Sequence, residues 1–365
     1  MSRLEEGTVL HDTYELVAPL GRGGMGVVWR AQHVRLPREM AIKVLDESAY
    51  ESEELLYRFR REAEITSQLG HPHIVEVFDF NVLADGRAYL VMELLRGESL
   101  RDRLKRGPIE PAATLEILRQ VGSALARAHQ AGVVHRDLKP ENIFLCANGG
   151  PNPRPHAKVL DFGISKIQGS QTVVTQESAL LGTPKYMSPE QAKGENAELD
   201  ARTDQFALGA IAYEMMTGQP AFAGTSVTSV LYKVLHEDPR PVTEISGSVA
   251  PSFDSAIRRA LAKDRDARFQ SIEAFLDAIT TAPAGASPLS TPASVGANDA
   301  DTVPDPSGAN TAPVSGGARP TTGGKGGKGG KAAWSLTVVV LAAGAYGLWS
   351  TVGGQPEVVS RPLAE

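Results

Sequence analysis

Three glycines, Gly21, Gly23 and Gly26, stand in the run LGRGGMGVVW at the G-x-G-x-x-G spacing, and their surroundings constrain the fold more than the spacing does. In a dinucleotide-binding fold such glycines follow a strand and open a helix. Here they are followed by Val27, Val28, Trp29 and Arg30, which read as a strand. A glycine turn between two strands is a flap whose backbone amides can lie over phosphates, with a plain hairpin as the rival reading. The residues around it agree with a β-rich opening. Residues 13–20, 27–34, 39–45, 73–80 and 87–94 are rich in β-branched and aromatic side chains. Residues 52–69 form a charged amphipathic stretch that predicts a helix, stopped by Gly70 and Pro72. After about Glu98 the pattern turns helical, over 111–131, 204–216, 227–236, 253–262 and 272–280. This predicts an α+β protein of two lobes, a β-rich one with one long helix and an α-rich one. The seam between the lobes is a natural ligand cleft. No internal repeat is present.

Net charge and cysteine content narrow the function classes. The formal charge of -6 over 365 residues argues against an electrostatic hold on nucleic acid. Cys146 is the single cysteine, so no intrachain disulfide can form and a reducing compartment is expected. The opening MSRLEEGTVL has no apolar h-region, which predicts no cleaved secretory signal.

The character changes again after residue 281. Residues 282–331 are dominated by Pro, Ala, Ser, Thr and Gly, a composition that cannot bury enough apolar surface to offset ordering and predicts a disordered, flexible linker. Residues 332–352 carry no charge, and Trp334 and Trp349 stand near the two ends. About 20 apolar residues cross a bilayer, and tryptophans gather at its interfaces, so one transmembrane helix is expected. The rival is a buried or interfacial helix. Arg319, Lys325, Lys328 and Lys331 precede the segment, which predicts residues 1–331 on the cytoplasmic side. A short extracytoplasmic tail, 353–365, would remain, too short for a sensory domain.

Chemistry-bearing residues follow in a fixed order. Lys43, in Ala41-Ile42-Lys43, alternates with an apolar face and can reach phosphate oxygens. Glu62 and Glu64, both on the predicted helix, are the candidates to hold it. Then come His135-Arg136-Asp137-Leu138-Lys139-Pro140-Glu141-Asn142, Asp161-Phe162-Gly163 and Ser188-Pro189-Glu190. With these the chain resembles the bacterial eukaryotic-like (Hanks-type) serine/threonine protein kinases, from about residue 14 to 281.

The resemblance implies a bilobal protein-kinase fold, ATP and Mg²⁺ as cofactors, and protein substrates bearing Ser or Thr. It implies that Asp137 takes or orients the proton of the substrate hydroxyl, that Asn142 and Asp161 hold metal, and that Glu62, rather than Glu64, pairs with Lys43. Lys139 resembles the lysine that Ser/Thr kinases aim at the moving phosphate, and Thr183 the threonine that bonds the aspartate. Val28 and Ala41 would cover the adenine and Phe144 would underlie it. Met92 would be the gatekeeper, with Glu93, Leu94 and Leu95 as the hinge. Asp204 would anchor the catalytic loop, and Glu190 would pair with Arg268. Ser188 departs from the alanine usual there, and residues 148–156 lengthen the turn before Asp161.

Arg136 beside Asp137 implies a cationic pocket for an activation-loop phosphate. Thr175 is the first candidate, with Thr172, Ser178 and Ser170 behind it. Glu177 either mimics a second phosphate or is a solvated loop residue. Glu141 matches a position that some kinases use for basic residues before the target. Tethering to the membrane would favour autophosphorylation in trans between two copies. Two rivals remain, a nucleotide-binding pseudokinase scaffold and a small-molecule kinase. The first is opposed by intact Lys43, Asp137, Asn142 and Asp161, the second by the long segment carrying Gly182, Thr183 and Ser-Pro-Glu.

Overall fold

The computed structural model describes residues 4–23, 26–46, 53–147, 155–162, 183–195, 199–247 and 249–280. The first lobe is a six-stranded sheet with every pairing antiparallel. It is built from β1 (Val9–Leu10), β2 (Tyr14–Gly23), β3 (Gly26–His33), β4 (Glu39–Leu45), β5 (Val77–Val82) and β6 (Ala88–Glu93), in the order β1-β2-β3-β4-β6-β5. One helix, α1 (Glu53–Leu69), packs against β5.

The two-residue period of the strands sorts their side chains onto two faces. Met40, Ile42 and Val44 of β4 join Trp29, Tyr89 and Val91 on one face. Ala41 and Leu45 join Val28, Leu90, Met92 and Phe59 of α1 on the other. Lys43 falls between Ala41 and Leu45 on this second face, which is why an ammonium is only 5% exposed there. At Gly26, opposite Leu45, a Cβ would lie 1.9 Å from the Val44 carbonyl oxygen, so no larger residue fits the close approach of β3 to β4.

The second lobe is helical: α2 (Leu100–Leu104), α3 (Pro111–Gln130), α4 (Pro189–Lys193), α5 (Ala201–Thr217), α6 (Val227–His236), α7 (Val242–Ile245), α8 (Pro251–Ala260) and α9 (Ile272–Thr280). Helix α5 is its centre, with every residue from Thr203 to Thr217 buried. Helices α3, α8 and α9 pack around it. The α+β, bilobal expectation therefore holds.

Several boundaries differ from the sequence reading. The expected 204–216 helix begins at Ala201, because the Asp200 side chain caps it by accepting the Arg202 N–H. The 253–262 helix runs two residues earlier, opened by Pro251 at its first position. The strand read over 73–80 begins at Val77, since residues 73–75 pair elsewhere. Val159 N–H donates to His73 O at 2.8 Å, and Val75 N–H to Val159 O at 3.0 Å. A three-stranded antiparallel sheet, β7 (Gly97–Ser99), β8 (Ile143–Cys146) and β9 (His156–Val159), interrupts the helical half. Strands of three or four residues are too short to show alternation.

The expected linker (282–331), span (332–352) and tail (353–365) lie outside the described residues. Among the described residues no helix is long and apolar enough to cross a membrane.

Candidate active site

A cleft of about 430 Å³, its open mouth included, is lined by Val28, Ala41, Lys43, Val75, Met92, Glu93, Leu95, Phe144, Leu160 and Asp161. Seven of these were read from sequence as nucleotide-binding residues, and Asp161 as a metal ligand. Val75 and Leu160 were missed, being two more apolar residues with no local motif. The apolar walls come from the second face of the sheet and, across the seam, from Phe144 of β8. Gly21, Gly23 and Gly26 sit at the facing ends of β2 and β3 and are not among the lining residues. One oxygen of the Glu93 carboxylate, Oε1, accepts the Glu76 N–H at 2.8 Å and Lys158 Nζ at 2.5 Å.

At the inner end of the cleft Lys43 Nζ lies 3.1 Å from Asp161 Oδ2 and 3.8 Å from Glu62 Oε1. Helix α1 supplies Glu62 from its buried side. Glu64 is half-buried, on a face away from Lys43, and bonds Arg60 and Arg61, which removes the rival. Burial works against the Lys43 charge, but Asp161 first and Glu62 second outweigh it, so its pKa is raised. One ammonium cannot fully neutralise both the buried Glu62 and the half-buried Asp161. Burial first pushes Glu62 up, to about 8, opposed by Lys43 and reinforced by Asp161.

The loop of residues 135–142 is held from below by Asp204 of α5. Its carboxylate, 1% exposed, accepts the backbone N–H of His135 and of Arg136 at 2.8 Å each, and His129 Nε2 lies 2.7 Å away. Burial acts to raise the Asp204 pKa, but His129 and the His135 amide outweigh it and hold it below the ordinary value. The anchor was expected from sequence; His129 was not. His135 is fully buried, and burial lowers its pKa, so its ring is neutral; it packs on Phe162 and reaches Leu160 O at 3.1 Å. Arg136 and Asp161 have φ of 64° and 36°, in the left-handed region that costs a side chain strain. Gln191 Nε2 donates to Arg136 O at 2.7 Å and helps to hold that backbone.

Lys139 Nζ donates to Asp137 Oδ2 at 2.8 Å, placing a cation on the carboxylate. Asn142 Nδ2 donates to Asp137 O at 3.0 Å, which leaves Oδ1 as the acceptor end of that amide. Asn142 and Asp161 thus offer hard oxygens that fit a divalent cation, whose remaining ligands phosphates and water can supply. Among the described residues no cluster of three or more His, Cys, Asp or Glu could hold a metal unaided.

Glu190 and Arg268 meet through two 2.8 Å bonds, with Arg268 fully buried. The Ser188 departure has a local reason. Ser188 caps α4 in a capping box with Gln191, the same residue that bonds Arg136 O. The Ser-x-x-Gln spacing was a signal available in the sequence and was missed.

The protein kinase domain model matches residues 14–278. The chain belongs to the protein kinase family, in its bacterial Hanks-type serine/threonine branch. The serine/threonine-protein kinase PknB of Mycobacterium leprae is 40% identical over 265 residues, covering 72% of this chain and 41% of that protein. PknB of Mycolicibacterium smegmatis is 41% identical over 266 residues, with the same coverage. A probable serine/threonine-protein kinase of Streptomyces coelicolor is 40% identical over 286 residues, 75% of this chain and 41% of that one. The matched region thus spans about two fifths of the relatives' length. The crystal structure of the Mycobacterium tuberculosis PknI kinase domain superposes with a TM-score of 0.60 at 29% identity, covering 76% of this chain and 98% of that one.

Within this kinase site one reading meets an internal competitor. Glu141, read as a docking point for basic residues of a substrate, is already engaged by Arg101 of α2, whose Nε lies 2.7 Å from Oε1. Thr172, Thr175, Ser178, Ser170 and Glu177 lie outside the described residues. The side chain of Thr183 does too, although its backbone opens the 3-10 turn Thr183–Tyr186.

Proposed function

We propose that this protein transfers the γ-phosphoryl group of ATP to serine and threonine hydroxyls of protein substrates. The observation that carries the reading is Lys43 paired with Asp161 in an apolar cleft whose walls suit a flat heterocycle, beside a loop on which Lys139 and Asn142 both bond Asp137 and Asn142 O accepts the Leu160 N–H next to Asp161. The Leu95 amide and the Glu93 carbonyl are the hinge groups for adenine. Lys43, fixed by Glu62, holds phosphate oxygens. Asp137 accepts the proton as the substrate Oγ bonds to phosphorus and the bond to the β-phosphate oxygen breaks, releasing ADP. Lys139, already on Asp137, neutralises charge as it builds on the moving group. Catalysis of this kind is positioning and charge stabilisation. Asn142 Oδ1 and Asp161 would hold Mg²⁺, which when bound neutralises the phosphate oxygens.

Phosphate on Thr175 first, with Thr172, Ser178 and Ser170 behind it, would pair with the region of Arg136. Residues 332–352 are proposed as a single membrane span with the kinase domain in the cytoplasm, which raises the local concentration of copies for trans-phosphorylation.

Wild type and Asp137→Asn would be incubated with Mg²⁺ and ATP and their phosphosites mapped by mass spectrometry. Phosphate on the wild type alone supports the reading. Nucleotide binding without transfer to itself or to any protein would leave a scaffold instead.

A further inference from the structure

Glu141 belongs to the 3-10 turn Pro140–Asn142, between Lys139 and Asn142, beside the loop that carries Asp137. Arg101, from a distant part of the chain, joins it to Glu214 and Tyr186. Arg101 Nε donates to Glu141 Oε1 at 2.7 Å, Nη1 donates to Glu214 Oε1 of α5 at 2.9 Å, and Nη2 donates to the Tyr186 hydroxyl. Tyr186 in turn donates to Glu214 Oε2, and it lines a small cavity together with Asp137 and Arg136. Every edge of the guanidinium fork is used. Two carboxylates share one cation, and Glu141 Oε2 is buried with no hydrogen-bond partner among the described residues. Burial opposes the Arg101 charge, but Tyr186, Glu141 and Glu214 outweigh it and raise its pKa. Burial first, then Glu214 beside it, raises the Tyr186 pKa.

We infer that Arg101 is a specificity-determining residue: its guanidinium fills the acidic pair Glu141 and Glu214 from within the chain, so basic residues flanking an acceptor serine or threonine gain nothing there. The inference rests on the protein kinase reading above. An internal arginine needs no association entropy to take its place, whereas a substrate arginine must first displace it. A lysine at 101 would keep the charge and lose the fork.

The test uses the full-length wild type, Arg101→Met, Arg101→Lys and the double variant Arg101→Met/Glu141→Gln. Peptides carry a single acceptor serine, with arginine at each flanking position in turn against an alanine reference. The readout is the ratio of kcat/KM for the arginine and alanine peptides. Because both are measured on one preparation, any misfolded fraction cancels.

Wild type should stay within about threefold of unity at every position, as for a weak exposed charge contact. Arg101→Met should raise the ratio about tenfold or more at one or two positions, the range of a charge-assisted hydrogen bond. Arg101→Lys should fall between, and adding Glu141→Gln should return the ratio towards unity. Ratios in both single variants equal to wild type overturn the inference, as does a wild type that already prefers arginine tenfold. No transfer by wild type to any peptide or to itself would overturn the kinase reading as well, which unchanged ratios with good transfer would not.

Discussion

The carboxylate of Asp204, buried in the central helix of the second lobe, accepts the backbone N–H of His135 at 2.8 Å, across 69 positions of sequence. Its other oxygen takes the N–H of Arg136 at the same distance, so one side chain sets the direction of the loop that carries Asp137.

Replacing Asp204 should therefore damage turnover more than nucleotide binding. Asp204→Ala frees two amides and leaves the backbone of Arg136, at φ 64°, without its main restraint. Displacing a reacting group by about 1 Å can cost about 100-fold, and a kcat loss of that order is expected with little change in ATP affinity. Steady-state kinetics beside fluorescence titration with a nucleotide would show it. Equal losses in both would mean that Asp204 only supports the fold.

Asp137→Asn keeps the shape of the side chain and removes the base. General-base contributions span about 10²–10⁴-fold, and a loss in that range is expected without a change in melting temperature. A variant that phosphorylates itself at the wild-type rate would show that the proton leaves by another route.

Arg268→Ala strands the Glu190 carboxylate, which is 5% exposed, with the Thr203 hydroxyl as its remaining side-chain donor among the described residues. Breaking one side of a buried pair costs about 3–5 kcal/mol, and the combined apolar replacement Glu190→Leu/Arg268→Met should recover part of it. Chemical denaturation of the single and double variants forms the cycle. Strict additivity would mean the two residues act independently.

Glu62 gives the protein a pH dependence of known sign. Its pKa rises from 4.5 to about 8 on folding, so its contribution is fully present below 4.5 and is lost as pH climbs through 8. Lys43 is shifted up from 10.5 and keeps its proton throughout that window. Between pH 5 and 8 the wild type should lose stability relative to Glu62→Gln, read from urea midpoints at each pH. Parallel curves for the two proteins would place the Glu62 pKa near its ordinary value. Above pH 8, where Glu62 is ionised, Glu62→Gln should turn over more slowly, since Lys43 then loses a charged partner.

Much of this site could be read in a line of residues because kinase chemistry is concentrated in short motifs. Asp137, Lys139 and Asn142 lie within six positions, and the turn holding them makes their contacts almost local. The alternation in β4 placed Lys43 on the cleft face for the same reason. Contacts between distant positions were less legible. Glu62 and Glu64 stand two apart on one helix, and only the packing of α1 on the sheet shows that Glu62 is buried towards Lys43 while Glu64 meets solvent and two arginines. His129, Gln191 and Lys158 each hold functional backbone or side chains without a motif of their own. The short strands β7–β9 exist because they pair with one another, not because their residues favour strands strongly.

What the sequence by itself determined is the family, the two-lobed plan and which residues with phosphate-binding chemistry to look for at the cleft. Periodicity, glycine spacing and motif order are properties of neighbouring residues. What only the tertiary structure decided is which partner each charged group has. Glu141 reads in sequence as open to a substrate, whereas in the fold Arg101, 40 positions before it, bonds both it and Glu214, 113 positions after Arg101. A charge in a folded chain interacts with whatever packing brings within a few ångströms, and in a poorly screened interior that proximity outweighs anything its neighbours in sequence supply.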